Sequence, residues 1–443
     1  MKLWKLLFRQ RKLLIMKILL VLTKKFTAGG GQSHIINLSK GLISEGHEVI
    51  VAADSGPLTN ELRASGVEFY RLRFCTSINL LGLILQIFIA VMRLKPNIIH
   101  AQSGNAMTVC LPVAKLLGIP FIVTYHGFSP QTYNDKTVSA LVPKIITVSE
   151  YYKDKLLHEG HLKPEQITVI PNGLDFEKYA SPRSDKPKGY ESVSQLKPNR
   201  KTKSSGFARL LREPLRETNT NKIIYISRLS KEKAGRYDKS KQIAQVLGAM
   251  PLVYKEIPSA RLLIVGGGDA FEDTKHQAEI INRELGVDLI SLSGVRYDIP
   301  NIIRQGDIVL GLGQVVLESL ACEQATISLQ NGAFGGAMTP EKVETLEKTN
   351  FSGMGGRESP VLAQDIITVL KNREYYLTLA KKAKDKAKVI ADIQSIARRT
   401  VEVYREVIYE RHVSRQFTIS IALSVFAMLG YKMIQYLGKG RLK

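Results

Sequence analysis

Two tandem series of short apolar runs limit the fold of this chain more than any other sequence feature. The runs lack the apolar–polar alternation of a half-solvated strand and are typical of strands buried on both faces of a parallel sheet. Glycine-rich turns and helical patterns separate them, which predicts βα units. The first series comprises residues 17–22, 49–53, 97–101, 121–124 and 145–148, and the second comprises residues 223–226, 261–265, 289–292 and 307–310. The sequence therefore predicts an α/β protein with two doubly wound sheets.

A glycine loop follows the first strand of the first series. Gly29, Gly30 and Gly31 precede a helical pattern at residues 34–43. Glycines let a ligand approach the backbone, and a helix N-terminus offers N–H groups to an anion. The spacing differs from the G-x-G-x-x-G fingerprint of dinucleotide folds, and Asp54 is the one candidate for its acid. A nicotinamide oxidoreductase is disfavoured but remains an alternative.

Two cations follow the first strand of the second series. Arg228 and Lys233 lie five residues apart, directly after the run at residues 223–226. Open α/β sheets bind ligands at the carboxyl ends of their strands, and a planar guanidinium with a flexible ammonium suits the oxygens of a diphosphate. The pair predicts a diphosphate site, although cations in a solvated loop give the same pattern.

Composition and pattern divide the chain into six segments. We predict a basic amphipathic leader at residues 1–15, an N-terminal Rossmann-like domain at 16–181, a basic linker at 182–221, a C-terminal Rossmann-like domain at 222–385, a closing helix at 386–415, and an apolar helix with a basic tail at 416–443. The linker is rich in Lys, Arg, Ser and Pro, which is typical of a segment without a packed core. The apolar stretch at residues 78–94 is interpreted as a core helix between strands.

Five motifs in order give the chain a resemblance to the retaining family 4 of GT-B glycosyltransferases. They are GGGQSH at residues 29–34, TYHG at 124–127, VIPNGLD at 169–175, SRLSKEK at 227–233 and VVLESLAC at 315–322, within a match over residues 17–409. The resemblance implies two Rossmann-like domains that face each other across a cleft. It also implies a nucleotide-sugar donor held by the second domain and an acceptor held by the first.

The resemblance assigns catalytic roles to His126, Arg228 and Lys233. The two cations are expected to neutralise the diphosphate as it leaves, because negative charge builds there when the glycosidic bond breaks. His126 is expected to contact the transferred sugar. Without the neighbouring motif residues, His126 would be read as a packed residue bonded to a backbone carbonyl. The family is described as retaining by front-face departure and attack, in which the leaving phosphate takes the acceptor's proton.

The resemblance also assigns donor-binding roles to Gly29, Gly30, Val315, Val316 and Glu318. The glycines are expected to let the first domain close onto the donor, and the amides of the two valines to face the phosphates. Glu318 is expected to accept hydrogen bonds from ribose hydroxyls. A carboxylate on an otherwise apolar helix needs a partner, which a ribose or a nearby cation can supply.

The chain departs from the family pattern at Leu310. A second glutamate normally stands eight residues before the helix glutamate and holds the donor sugar, and leucine cannot accept a hydrogen bond. The sugar contact is then expected from Gln314 or from backbone, unless donor choice has changed or the site is degraded. Ala234 also displaces Gly235 from its usual place after the clamp lysine.

Charge and cysteine content indicate a cytosolic enzyme near an acidic surface. The 443 residues carry a net charge of +23, which favours an anionic membrane or nucleic acid. The membrane is preferred because the cations accompany apolar ends and no aromatic stacking motif. The cysteines, Cys75, Cys110 and Cys322, have no metal or redox spacing, so we expect no disulfide, metal or cofactor.

The two ends of the chain leave alternatives open. The leader is either an interfacial amphipathic helix or an artefact that precedes a true start at Met16. Residues 416–431 are uncharged and largely apolar, but as a helix they reach only about 24 Å across a hydrocarbon core of about 30 Å. Spanning the bilayer and lying flat on it are both consistent with this length. We expect this segment to anchor the protein at the cytoplasmic face of a membrane.

Together these features predict a retaining glycosyltransferase that acts on a lipid or cell-envelope glycan. The alternatives are a catalytically degraded GT-B protein that binds nucleotide sugars, which Leu310 favours, and an NAD(P)-dependent oxidoreductase. Arg228 and Lys233 argue against the oxidoreductase, because such an enzyme does not require a phosphate clamp in a second domain.

Overall fold

The computed structural model describes residues 15–73, 80–127, 141–159, 162–180, 220–231, 239–330, 333–352 and 358–413. Lys233, Ala234 and Gly235 lie outside the described residues. The same holds for residues 1–14 of the leader, residues 182–219 of the linker and the apolar tail at 416–443. The chain divides into two compact units, Met1–Gly173 with Ile393–Lys443, and Leu174–Asp392.

The first unit is built on a seven-stranded sheet. Its order is β3-β2-β1-β4-β5-β6-β7, and every pair of neighbouring strands is parallel. The strands are β1 (Lys17–Lys25), β2 (Glu48–Asp54), β3 (Glu68–Arg71), β4 (Ile98–Ala101), β5 (Phe121–Tyr125), β6 (Ile145–Thr147) and β7 (Ile167–Val169). All five strands predicted here are present, and their apolar residues form the buried centre of the unit.

The second unit is built on a six-stranded sheet of order β10-β9-β8-β11-β12-β13. Its strands are parallel except for β13, which runs antiparallel to β12 at the edge. The strands are β8 (Asn221–Ile226), β9 (Ala260–Val265), β10 (Ile290–Gly294), β11 (Ile308–Gly311), β12 (Thr326–Gln330) and β13 (Ala333–Ala337). The four strands predicted for this unit are all present, and the edge hairpin was not predicted.

Helices connect the strands. In chain order, those of the described residues are α1 (Gly30–Ser44), α2 (Thr59–Ala64), α3 (Leu80–Leu94), α4 (Gly104–Leu117), α5 (Glu150–Glu159), α6 (Phe176–Ala180), α7 (Ser240–Glu256), α8 (Phe271–Leu285), α9 (Ile299–Ile303), α10 (Gln314–Ala321), α11 (Pro340–Glu347), α12 (Ser359–Lys371), α13 (Arg373–Ala391) and α14 (Ile393–Val413). Local sequence sets several of their ends. The hydroxyl of Ser103 accepts from the amide of Ala106 at the start of α4, and Gly118 ends that helix in the left-handed conformation, φ 69°.

The carboxyl-terminal helix α14 belongs to the first unit. It packs so closely on α1 that a Cβ at Gly41 would lie 2.8 Å from the Cβ of Ala397. Two polar contacts join it to the sheet: Lys144 Nζ donates to Glu406 Oε1 over 2.6 Å, and His100 Nδ1 lies 2.7 Å from the hydroxyl of Tyr404. Helix α14 therefore completes the unit that contains β1, although more than 350 residues separate the two elements in the chain.

The unit boundaries differ from those expected from the sequence. Residues 174–180, expected in the first domain, belong to the second unit, because Leu174 and Phe176 are buried with the apolar residues of α10 and α13. The amide of Leu174 also donates to the carbonyl oxygen of Ala391 over 2.8 Å. The expected closing helix at 386–415 is replaced by α13 and α14, which meet at Asp392. Composition gave no sign of these boundaries because buried apolar residues lie on both sides of them.

The interpretation of α3 as a core helix is correct for one face only. Ile87, Ala90, Val91 and Leu94 are buried in the core of the first unit. Other large apolar side chains of the helix are exposed. In the part of the chain that the structure describes, no helix combines the length and apolar character needed to cross a membrane.

We predict that Tyr404→Phe lowers the free energy of unfolding of the first unit by about 1–3 kcal/mol, because buried His100 then loses its Nδ1 partner. Urea unfolding followed by circular dichroism measures the change. Tyr151→Phe in the same unit, at a partly exposed side chain, is the control and should change stability by less than about 0.5 kcal/mol. Equal effects of the two substitutions would contradict the assignment of α14 to this sheet contact.

Candidate functional site

Each sheet contains one position where its connections reverse direction. In the second unit this position lies between β8 and β11, which are parallel neighbours although 85 residues separate paired Ile223 and Ile308. In the first unit it lies between β1 and β4. Open α/β sheets bind ligands in the crevice at such a switch point, outside the carboxyl ends of the strands. The loops that leave β8 and β11 therefore form the candidate ligand site of the second unit.

Arg228 is exposed in the loop that leaves β8. A glycine turn after β9 holds this loop in place: the amide of Ser227 donates to Val265 O and the amide of Leu229 to Gly267 O, both over 3.1 Å. A Cβ at Gly268, where φ is 151°, would overlap the carbonyl oxygen of Leu229. The glycines of this turn allow the close backbone packing that fixes the Arg228 loop.

A second cation, which the sequence analysis did not identify, lies near Arg228. Lys239 precedes α7 and is 9% exposed, and its Nζ donates to Gln242 Oε1 over 3.2 Å. Burial lowers the pKa of Lys239 to about 8, and the positive charge of Arg228 contributes to the shift. Two cations within electrostatic reach of each other form a local environment that favours an anion.

The loop that leaves β11 leads into α10, whose first residue is Gln314. The side chain of Gln314 is buried, and neither its oxygen nor its nitrogen has a hydrogen-bond partner among the described residues. A buried carboxamide without a partner costs about 1–3 kcal/mol. This cost makes Gln314 a candidate for contact with a polar ligand.

Val315, Val316 and Glu318, which the resemblance assigns to donor binding, all lie on α10. The amide of Val315 donates to Leu312 O over 3.2 Å and that of Val316 to Gly313 O over 3.1 Å. Their expected contact with phosphates therefore requires these bonds to be shared or broken, and it stays a prediction. Glu318 is 6% exposed on the same helix, and its contact with ribose also stays a prediction.

Leu310 is a core residue. It is fully buried in β11 and packs in the same apolar cluster as Ile223 and Leu262. The side chain that replaces the family glutamate therefore contributes to the stability of the sheet and offers nothing to a polar ligand.

The glycine loop of the first unit lies beside His126. Helix α1 begins at Gly30, and a Cβ at Gly31 would lie 3.8 Å from Cδ2 of His126. His34 of α1 makes an edge contact with the same ring, with centroids 4.7 Å apart. The structure thus brings the first and second sequence motifs together in one unit.

Two side-chain amides hold the ring of His126. Its Nδ1 lies 3.2 Å from the amide oxygen of Asn172, and its Nε2 lies 3.3 Å from that of Gln102. A neutral imidazole donates from one nitrogen and accepts at the other, so one of these amides must turn its NH₂ group toward the ring. The partners are side-chain amides, whereas the alternative considered from sequence was a backbone carbonyl. Asn172 belongs to the VIPNGLD motif, but no sequence signal pointed to Gln102.

Three histidines of the first unit are held in the neutral form. Burial is the main cause for each: it lowers the pKa of His100 to about 3 and that of His126 to about 4. A hydrogen bond with Asn172 opposes the shift at His126, and the charge of Lys24 adds to it. The pKa of His34 is lowered well below its ordinary value by burial and by His126 and His100. A neutral His126 can donate and accept hydrogen bonds but carries no charge to an anionic ligand.

Two family profiles match this chain. The one described as Glycosyltransferase Family 4 matches residues 28–178, and the one described as Glycosyl transferases group 1 matches residues 208–386. The crystal structure of Anabaena Alr3699/HepE in complex with UDP-glucose is similar in fold, with a TM-score of 0.65 and 18% identity, and covers 88% of this chain and 100% of that one.

Two characterised relatives have similar sequences. An Escherichia coli UDP-Gal:alpha-D-GlcNAc-diphosphoundecaprenol alpha-1,3-galactosyltransferase is 25% identical over 279 residues, which are 58% of this chain and 63% of that protein. The Acholeplasma laidlawii alpha-monoglucosyldiacylglycerol synthase is 24% identical over 389 residues, covering 82% of this chain and 90% of that protein.

The buried histidines predict that the first unit loses stability in acid. Between pH 6.5 and about 4 the unfolded chain binds a proton at His126 that the folded unit does not bind, so stability is full above this window and falls as the pH falls through it. Urea unfolding at about pH 7 and about pH 5 measures the slope. His126→Asn should reduce it, whereas His158→Asn, at an exposed position of α5, should not. An unchanged slope in His126→Asn would contradict the prediction.

Proposed function

The chain is a glycosyltransferase that joins a Glycosyltransferase Family 4 domain to a Glycosyl transferases group 1 domain, and we propose that it transfers a sugar from a UDP-sugar to a lipid or cell-envelope glycan with retention. The donor site is inferred from the position of Arg228 at the switch point of the second sheet. Lys239 lies close enough for the charge of Arg228 to contribute to lowering its pKa. UDP-sugars are proposed because the E. coli relative is named for UDP-Gal and the Anabaena structure for UDP-glucose.

Positive charge is the proposed source of donor activation. As the glycosidic bond breaks, negative charge builds on the diphosphate, and preorganised cations stabilise that charge more than they stabilise the bound donor. Arg228 and Lys239 are proposed to supply this charge, and Lys233, five residues after Arg228 in the sequence, is proposed to join them. We propose that the charge of these side chains is sufficient for the leaving diphosphate, so the proposal includes no metal or other cofactor.

Gln314 is proposed to hold the donor sugar in place of the absent glutamate. Gln314 is the first residue of α10, the helix that follows β11. Strand β11 pairs with β8, the strand that leads to Arg228. The carboxamide of Gln314 both donates and accepts, which suits sugar hydroxyls. A ligand there removes the cost of the buried amide, which has no partner among the described residues.

The first unit is proposed to present neutral groups to the sugar and the acceptor. His126, fixed by Asn172 and Gln102, offers a hydrogen bond to a sugar hydroxyl without adding charge. Gly29 and Gly30, at the start of α1, are proposed to leave space for the donor. We propose front-face transfer, in which the leaving phosphate accepts the proton of the acceptor hydroxyl as the new glycosidic bond forms on the same face.

The lipid acceptor and the membrane location are proposed together. The E. coli relative is named for a diphosphoundecaprenol acceptor and the A. laidlawii relative for a diacylglycerol product. An enzyme that meets such an acceptor works at the cytoplasmic face of a membrane, where a net charge of +23 favours anionic lipid.

A degraded protein that binds nucleotide sugar remains the second candidate because Leu310 removes a sugar contact. The nicotinamide oxidoreductase is set aside because both domains match glycosyltransferase families.

We predict that the protein binds UDP and that Arg228→Ala, Lys233→Ala and Lys239→Met each weaken binding about tenfold to a hundredfold, through loss of a charge-assisted hydrogen bond. Calorimetry with UDP, GDP, ADP and NAD measures the affinities. Arg283→Ala and Lys241→Ala, at exposed positions of the same unit, are matched controls. Binding that survives the first three substitutions, or binding of NAD alone, would overturn the proposed donor site.

We predict that Gln314→Leu weakens binding of the preferred UDP-sugar about threefold to tenfold and leaves UDP affinity unchanged, because the side chain is proposed to contact only the sugar. UDP-glucose, UDP-Gal and UDP-GlcNAc are the probes. Gln364→Leu, at an exposed position of α12, is the control. An equal loss of UDP and UDP-sugar affinity would show that Gln314 acts through folding or through the nucleotide. Donor binding without transfer to any lipid would favour the degraded protein.

A further inference from the structure

We propose that α3 docks the first unit on an anionic lipid bilayer through its exposed apolar face, which consists of Leu81, Leu85, Ile89 and Met92. These side chains are 54%, 56%, 49% and 53% exposed. The inference deepens the membrane location in the proposed function by assigning the contact to described residues. It was not expected from the sequence, which indicated a core helix here and a membrane contact at the ends of the chain.

The four side chains form one continuous stripe. At 3.6 residues per turn, positions 81, 85, 89 and 92 fall within an arc of about 80°, and the stripe is about 17 Å long. Single exposed apolar residues are ordinary on protein surfaces, but a contiguous stripe indicates an interaction site. Its length suits a helix that lies in the interface plane, because a spanning helix needs about 20 apolar residues.

The opposite side of α3 fixes the orientation of the stripe. Ile87, Ala90, Val91 and Leu94 are at most 8% exposed and pack in the core of the first unit. Because the helix cannot rotate without exposing these residues, the stripe must face outward. The helix is therefore apolar on two sides, and folding of its unit accounts for only one of them.

The sequence that flanks α3 on both sides carries charge of one sign. Between Glu68 and Asp135 the sequence contains no Asp or Glu but five cations, Arg71, Arg73, Arg93, Lys95 and Lys115. Of these, Arg71 has a distant ion pair with Asp54, 3.9 Å, on the neighbouring strand. Such a region attracts anionic headgroups, with each cation near the surface contributing about fivefold to binding.

Two of these cations are placed at the helix itself. Arg93, in its last turn, and Lys95, just beyond it, are exposed. Arg73 is held beside the helix through its backbone: its amide donates to Gln86 Oε1 over 2.8 Å, and its carbonyl oxygen accepts from Gln86 Nε2 over 3.1 Å. The stripe is thus flanked by cations, as in helices that bind anionic bilayers.

This charge pattern favours lipid over a second copy of the chain. A symmetric dimer through α3 would bring the same cations of two copies together, in molecules that each carry +23. A bilayer instead supplies apolar depth for the four side chains and negative headgroups for the cations.

The test uses the full chain and vesicles of phosphatidylcholine, with and without phosphatidylglycerol, in the absence of any nucleotide sugar. Leu85→Asn/Ile89→Asn should weaken binding to the anionic vesicles at least about tenfold. Arg93→Gln/Lys95→Gln should weaken it about tenfold or more on anionic vesicles and leave neutral vesicles unchanged. Val361→Asn/Val389→Asn, which changes exposed apolar residues of the second unit, is the control and should bind as the parent does.

A fluorescence probe locates the contact directly. Leu85→Trp in a Trp4→Phe background makes residue 85 the only tryptophan, because the chain contains one. Its emission should shift to the blue on anionic vesicles. No shift, full binding by the α3 variants, or a concentration-dependent dimer that the α3 substitutions abolish would overturn the proposal. UDP affinity of each variant, measured separately, distinguishes this outcome from failure of the proposed donor site.

Discussion

Burial of both faces of a parallel sheet is the constraint on which the rest of this structure depends. Parallel strands need crossover helices, and helices on both faces require the connections to change direction once in each sheet. The change falls between β1 and β4 in the first unit and between β8 and β11 in the second. At such positions the loops on either side lead away from each other, and open α/β sheets bind ligands there. The candidate residues of each unit gather there, although the chain supplies them from distant segments.

The candidate residues of the two units differ in charge: those of the first unit include neutral histidines, and those of the second include two cations. The first gathers His34, His100 and His126 and keeps them neutral through burial. The second places Lys239 in the field of Arg228. In the proposed reaction these environments suit the two ends of a nucleotide sugar, since hydroxyls need neutral hydrogen-bond partners and a diphosphate needs positive charge. Leu310 completes the core of the second unit, and the proposed function assigns the sugar contact to Gln314, four residues later.

Surface charge and apolar exposure coincide on one helix of the first unit. One side of α3 contributes to the core, and its outer side combines four large apolar residues with flanking cations. Neither property alone distinguishes a membrane contact from ordinary surface. Their combination on a helix fixed by its buried side is the basis of the proposed membrane contact.

The sequence by itself determined the fold class and nine of the strands that the structure describes. All nine predicted strands are present, because short unbroken apolar runs are stable mainly as strands buried in a parallel sheet. The glycine loop, His126 and Arg228 follow strand ends, as expected. Only the tertiary structure decided which elements are neighbours. It alone showed that α14 completes the first unit through Tyr404, that Gly268 packs on the Arg228 loop, that Gln102 and Asn172 hold His126, and that α3 has an exposed apolar side. These features depend on contacts between residues far apart in the chain. Local pattern fixes the period and burial of an element, but the partner of each face is set by the packing of the whole domain.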